Sequence, residues 1–171
     1  VREAIARGIA ASRAVYVGAE PLSSEAAVPW LQLLADGDRA ADAAGVLRVV
    51  ADAGDPRVPE PLSDTQLTGL VVSHLAHVEA AVDASLDQGG QVLLVNGMGT
   101  SWPANEWGEL RGAPDLRLLR DAVRVLRQRR REGEIDLIHF GGVRSGTDAA
   151  KLIGLGAVAM VLGVSAGLAA G

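Results

Sequence analysis

The second half of the chain alternates between two kinds of apolar pattern. LTGLVV (67–72), QVLLVN (91–96), IDLIHF (135–140) and AVAMVL (157–162) are short runs dominated by apolar residues, as in strands buried on both faces. Between them the apolar residues recur at helical spacing. Leu75, Val78, Val82 and Leu86 form one stripe, with Glu79, Asp83 and Asp87 on another face. Leu116, Leu119, Val123 and Leu126 form the stripe of a longer helix whose other face carries Arg117, Arg120, Arg124 and Arg127. A third helix is predicted to reach Leu155. Strands and helices in this rhythm specify parallel βαβ units, and right-handed crossovers set every strand's carboxyl end on one rim.

The first half is less regular. REAIARGIAAS (2–12) reads as a helix and RAVYVG (13–18) as a strand; Ser23, Ser24 and Glu25 are expected to open a helix, followed by an Ala/Asp-rich stretch to Ala53. GDPRVPEPLSD (54–64) is a proline-rich loop. This reading yields about five strands, whereas a complete (β/α) barrel needs eight and typically about 250 residues. The fold expected is therefore α/β: a parallel (β/α) barrel of the TIM type, partial or shortened, or else an open α/β sheet. It is read as a single domain over 1–171, with a degenerate N-terminal part (1–53), the proline-rich loop (54–64) and a C-terminal half-barrel (65–171). Too few strands leave an uncovered sheet edge, which a partner or a second copy should bury.

Composition narrows the chemistry. The 171 residues are 49% hydrophobic but only 3% aromatic, so the core is built from aliphatic side chains. A net charge of −5 gives no reason to expect nucleic acid or an anionic membrane as partner. No run reaches the roughly 18 apolar residues of a membrane span. The absence of cysteine excludes disulfides, thiolate nucleophiles and iron–sulfur ligation by these residues, and fits a reducing, cytoplasmic setting. Lys151 is the sole lysine among sixteen basic residues.

The stretch FGGVRSGTDAAKLIGLGA (140–157) carries the clearest chemical signal. Gly141 and Gly142 end a buried strand, where the lack of Cβ lets the backbone approach a ligand; a tight strand-to-helix turn is the competing reason for the pair. Val143, Arg144 and Ser145 then present amides just before a helix opens near Thr147 and Asp148, and the helix terminus and the Arg144 guanidinium both favour an anion. The next strand ends at Gly163, Val164 and Ser165. Glycines at two successive strand ends match the phosphate site of barrel strands seven and eight.

These residues resemble the GG-[IV]-R-x-G-x-D-x-x-K-x-x-x-LGA-x-x-x-x-x-G signature of FMN-binding barrels, shared by glutamate synthase, the α-hydroxy-acid oxidases and IMP dehydrogenase relatives. The glutamate synthase FMN domain fits best. NGMGTSWPANEWGELRGAPDLRLLRDAV resembles its loop and following helix, LGVSAGLAAG its tail, and EAIARGIAASRAVYVGAEPLSSE its EALARGA…GTGEGG segment. The resemblance covers 96–171 well, extends to 3–25 and takes in little between. It implies FMN as cofactor, its phosphate held by Gly142, Val143 and Arg144 and by Gly163 and Val164, with Gly141 also in the cofactor site and Gly97, Met98 and Thr100 near the flavin or substrate. It further implies reduction of an imine such as 2-iminoglutarate by reduced FMN, with electrons and ammonia supplied by other synthase subunits. The sequence departs from the family at Phe140, at the shortened Gly99–Ser101 loop, and in lacking a lysine on an earlier strand. Those departures leave two alternatives open: a catalytically degenerate phosphate- or FMN-binding scaffold or partner subunit, and an α-hydroxy-acid-type FMN oxidase, for which the His–Gly–Gly loop is absent.

Other candidates carry less. His74 and His77 could present two metal ligands, but no third stands at useful spacing, so no metal is expected. His139 is either a general acid or flavin contact or, as favoured here, a packed histidine. Asn96 ends its strand on the rim, as a candidate for the family's acidic role. Trp102 and Trp107 either cap a flavin or anchor their loop, and RQRRREGE (127–134) reads as a solvated helix end. No catalytic residue is assigned.

Overall fold

The structure, a computed structural model, describes residues 2–23, 27–51, 55–99 and 112–163. Helix α1 (Arg2–Ser12) leads into β1 (Tyr16–Gly18), followed by β2 (Trp30–Leu34), β3 (Gly45–Val49) and β4 (Leu67–Val72). Then come a 3-10 turn (Leu75–His77), α2 (Val78–Gln88), β5 (Val92–Asn96), α3 (Arg117–Arg129), β6 (Asp136–Phe140), α4 (Gly146–Leu155) and β7 (Ala159–Val161). The strands form one seven-stranded sheet in consecutive order, and every pairing is parallel. This is a nearly closed α/β barrel, with β1 and β7 at the two ends of the strand order.

Each strand alternates between two apolar layers, which is why the runs look continuous in sequence. Leu31, Leu33, Leu47, Val71, Val92 and Leu94 pack inside, joined by Val17, Val49, Ile138, Phe140 and Val161. The opposite face, with Leu70, Val72, Leu93, Val95 and Leu137, packs against α2, α3 and α4. The α3 stripe differs from the expected one. Leu118, Leu119, Ala122, Val125 and Leu126 are buried, while Leu116 is exposed. Small Ala122 at the centre lets the helix sit close to the sheet, and Val123 turns toward α4, where its Cγ2 fills the space beside Gly156.

Of the helix expected to open at Ser23–Glu25, Ser24 and Glu25 lie outside the described residues, and the described residues from 27 to 51 contain no helix. Within the stretch between Ser23 and Ala53 the chain forms β2 and β3, two strands missing from the count of five. Three N-terminal strands thus continue the parallel register of the four in 65–171. The described residues of the β2–β3 and β3–β4 crossovers contain no helix, so glutamine side chains satisfy the irregular backbone that helix bonds would otherwise absorb. Gln32 bridges within the first crossover, donating to the Arg39 carbonyl at 3.2 Å and accepting from the Ala41 amide at 2.6 Å. Buried Gln66 donates to the carbonyls of Ala41 and Ala43, both at 2.8 Å, and accepts from the Leu62 amide at 2.8 Å. Gln88 on α2 clamps the second crossover through the Val58 amide (2.9 Å) and the Pro56 carbonyl (3.2 Å).

Candidate functional site

Parallel strands place the β4, β5, β6 and β7 carboxyl ends on one rim. Alternation from Val71, Leu94 and Phe140 puts Ser73, Asn96 and Phe140 on the interior side of that rim. Asn96 is fully buried: its Nδ2 donates to Ser73 Oγ at 3.0 Å, and its Oδ1 accepts from the Met98 amide at 3.1 Å. It shapes the turn after β5, and offers an amide where an acidic role had been considered.

The turns after β5 and β6 interlock. The Gly97 amide donates to the Phe140 carbonyl at 3.0 Å, and the Asp115 amide donates to the Gly97 carbonyl at 2.6 Å. Gly141 and Gly142 both have positive φ, +114° and +73°. A Cβ on Gly141 would lie 2.5 Å from Met98 Sδ, and one on Gly142 would run into the Pro114 ring. Thus the space a side chain would need is filled by protein rather than left for a ligand. The pair is explained by turn conformation and by packing against the neighbouring turn.

What faces outward is the start of α4. Ser145 caps it: Ser145 Oγ accepts from the Asp148 amide at 3.2 Å and donates to Asp148 Oδ2 at 2.9 Å. Asp148 Oδ2 also accepts from the Arg144 amide at 3.2 Å, so that amide already holds a carboxylate. The Ser145 hydroxyl, then the Arg144 amide, keep the Asp148 carboxyl below its ordinary pKa. The amides of Gly146 and Thr147, first in the helix, have no carbonyl to reach within it. Among the described residues a Cβ on Gly146 would meet nothing within 4 Å, and the Arg144 side chain is exposed. Val143 is buried in the helix-facing layer. Helix terminus, open approach and exposed guanidinium are the elements of an anion site. They suit the phosphate end of a phosphorylated ligand, although one of the expected amides is already engaged.

Of the residues singled out in sequence, Gly97, Met98, Gly141, Gly142, Val143 and Arg144 come together in these two turns, and Gly163 follows β7 on the same rim. Thr100, Val164, Trp102 and Trp107 lie outside the described residues. Pro114, which sequence reasoning missed, contacts Gly97, Gly141 and Gly142; its only signal was a proline just ahead of a helix. His139 is fully buried on the helix-facing side of β6, its Nε2 3.2 Å from the Gly141 carbonyl oxygen. Burial lowers its pKa, opposed by the Gly141 bond. His74 and His77 meet edge to face after β4, ring centroids 5.9 Å apart; among the described residues no group of three or more His, Cys, Asp or Glu is placed to hold a metal. A groove of about 550 Å³ between α3 and α4, lined by Arg120, Arg124 and Arg127, lies on the outer layer, away from the strand ends. The end of the arginine run is engaged by acids: Arg129 pairs with Asp83 and Glu79, and Arg131 with Glu134.

Similarity to known proteins follows the same outline. A mandelate oxidase variant solved with an FMN monooxide adduct superposes with a TM-score of 0.62 at 20% identity, covering 98% of this chain and 61% of that one. FabK from Thermotoga maritima superposes with a TM-score of 0.51 at 15% identity, covering 97% of this chain and 48% of that one. The fold is that of the mandelate oxidase barrel. In sequence, the chain is 36% identical over 85 residues to a glutamate synthase large subunit-like protein of Rhizobium meliloti (strain 1021). That match takes in 48% of this chain and 19% of the relative, and the chain spans about three fifths of the mandelate oxidase. No protein-family model matches. No helix among the described residues is long and apolar enough to cross a membrane.

Proposed function

We propose that the chain is an FMN-dependent oxidoreductase barrel whose chemistry is of the glutamate synthase kind, reduction of an imine such as 2-iminoglutarate to the amino acid. The observation that carries this reading is the 36% identity to a glutamate synthase large subunit-like protein, on a chain with the fold of an FMN-carrying oxidase. Bound FMN would supply hydride transfer at its ring system. The α4 terminus and Arg144 would hold its phosphate, and the Ser73–Asn96–Phe140 side of the rim would face its ring. Asn96, with both side-chain ends engaged, orients the Met98 turn and moves no proton. Other synthase subunits would deliver electrons and ammonia, in a cytoplasmic setting.

The test begins with colour. The purified chain, or the chain incubated with FMN, should be yellow and release FMN on denaturation. With a chemical reductant, 2-oxoglutarate and ammonia it should then form glutamate. The mandelate oxidase fold favours a second reading, oxidation of a 2-hydroxy acid, detected as flavin bleaching by mandelate or lactate without added reductant. Bound FMN with neither reaction would leave the chain a flavin-binding scaffold; failure to bind FMN would exclude all three.

A further inference from the structure

We propose that His139 is the positioning residue of the turn after β6: its Nε2–H holds the Gly141 carbonyl inward and thereby turns the Gly142 amide out toward the anion. The placement of the ring is the first observation. His139 stands between Val95 and Met160 in the sheet register, fully buried on the helix-facing side. Its Cε1 lies so near Gly97 that a Cβ there would come within 2.9 Å. The ring therefore fills the space between the two interlocked turns.

The tautomer follows from the partners. A carbonyl oxygen can only accept, so Nε2, 3.2 Å from Gly141 O, carries the proton. Nδ1 is then the lone-pair nitrogen, buried and without a partner among the described residues. The consequence for the backbone rests on peptide geometry. In a trans peptide the carbonyl and the following N–H point in opposite directions. Once the Gly141 carbonyl is drawn into the buried layer, the Gly142 N–H must face away from it. Two glycines at positive φ have little side-chain resistance to a flip of the peptide between them; the imidazole supplies that resistance. This role deepens the proposed phosphate site and rests on that reading for its ligand.

Two measurements decide it. In long-range proton–nitrogen NMR of the unliganded protein, His139 should be neutral with Nε2 protonated, and His139→Leu should shift the Gly142 amide resonance while leaving the strand amides of β4 and β5 in place. FMN and riboflavin, which lacks the phosphate, are then titrated in parallel. His139→Leu should weaken FMN at least tenfold while riboflavin changes little, and His139→Gln, which keeps an N–H of similar reach, should recover most of the loss. An Nδ1-protonated tautomer, or an FMN-to-riboflavin preference unchanged in His139→Leu, overturns the proposal. If the wild type binds no FMN, the function proposed above fails, while the NMR tautomer and the Gly142 shift still decide the role of His139 in the turn. Should His139→Leu not fold, the wild-type tautomer and the His139→Gln titration decide the matter in its place.

Discussion

The packing of the two turns makes Gly141→Ala and Met98→Ala a sharp pair. In Gly141→Ala the new methyl carbon would sit 2.5 Å from Met98 Sδ and 2.8 Å from its Cγ, at φ +114°. The backbone term alone, a non-glycine residue in a sparsely populated region, costs about 1–3 kcal/mol. Overpacking adds about 1–3 kcal/mol, toward the low end because Met98 is a flexible side chain. Gly141→Ala should therefore lose roughly 2–4 kcal/mol, which for a chain of this size lowers Tm by roughly 5–15 °C. Met98→Ala removes a half-buried side chain and should cost about 1–2 kcal/mol, less than the 2–5 of a fully buried one. The double variant separates the terms, because without Met98 the methyl group has room and only backbone strain remains. Its loss should fall short of the sum of the single losses by about 1–2 kcal/mol. Urea unfolding followed by circular dichroism measures all three. Additive losses would show that Met98 does not occupy the Gly141 Cβ position, and the packing account of the glycine pair would fail.

Three other outcomes are expected. Arg144→Glu should weaken FMN by at least tenfold, about 1.4 kcal/mol, with Tm unchanged, because the side chain is exposed; calorimetric titration showing undiminished affinity would put the phosphate elsewhere. Gln66→Ala should destabilise by roughly 1–3 kcal/mol, since it strands the buried Ala43 carbonyl together with the partly buried Ala41 carbonyl and Leu62 amide; a loss under about 0.5 kcal/mol would mean the crossovers hold without it. Burial depresses the His139 pKa from 6.5, so between the folded and unfolded values the unfolded chain binds more protons. The corresponding stability is fully present above about pH 6.5 and is lost as pH falls below it. Urea unfolding at pH 7.5 and 5.5 should show a drop that is smaller in His139→Leu; equal drops would refute it. Among the described residues no ionisable side chain contributes to that shift, and desolvation is its largest cause.

The parallel α/β architecture was legible wherever helices separated the strands. From Leu67 onward each apolar run is flanked by a 3.6-residue stripe, and those runs became β4 to β7. Between Ser23 and Ala53 that contrast vanishes. WLQLL and GVLRV are as apolar as the later strands, but the described residues of the crossovers around β3 lack helices, and the Ala/Asp-rich composition imitates a helix. The information lay instead in Gln32 and Gln66, polar residues that are buried because their amides serve as backbone partners. A glutamine in isolation cannot be told from a surface glutamine, since its role depends on where the following loop passes. The rotated α3 stripe has a similar cause: Leu118 and Leu119 are adjacent, and only the contact at Ala122 decides which of the overlapping stripes faces the sheet.

The glycine turn shows how a correct motif can carry two messages. The sequence around 141–148 placed a strand end, a turn and a helix start, and all three are present; the Ser145 cap was added by the structure. Whether the glycines stand there for a ligand or for the fold depends on what lies beyond the missing Cβ atoms. Met98 and Pro114 lie there, contributed by the turn after β5 in one case and by the approach to α3 in the other. Both glycines are thus accounted for without any ligand. The case for an anion rests on Arg144, on the first amides of α4 and on the outward Gly142 N–H that His139 enforces. Asp148 bears on that case from the other side: its carboxylate already sits on the Arg144 amide, so an incoming phosphate must either share the terminus with it or displace it. Asp148→Asn keeps the cap geometry and removes the charge, and should therefore tighten phosphate-bearing ligands relative to riboflavin. A weakened FMN-to-riboflavin preference in that variant would mean that the carboxylate shapes the cradle rather than competing for it.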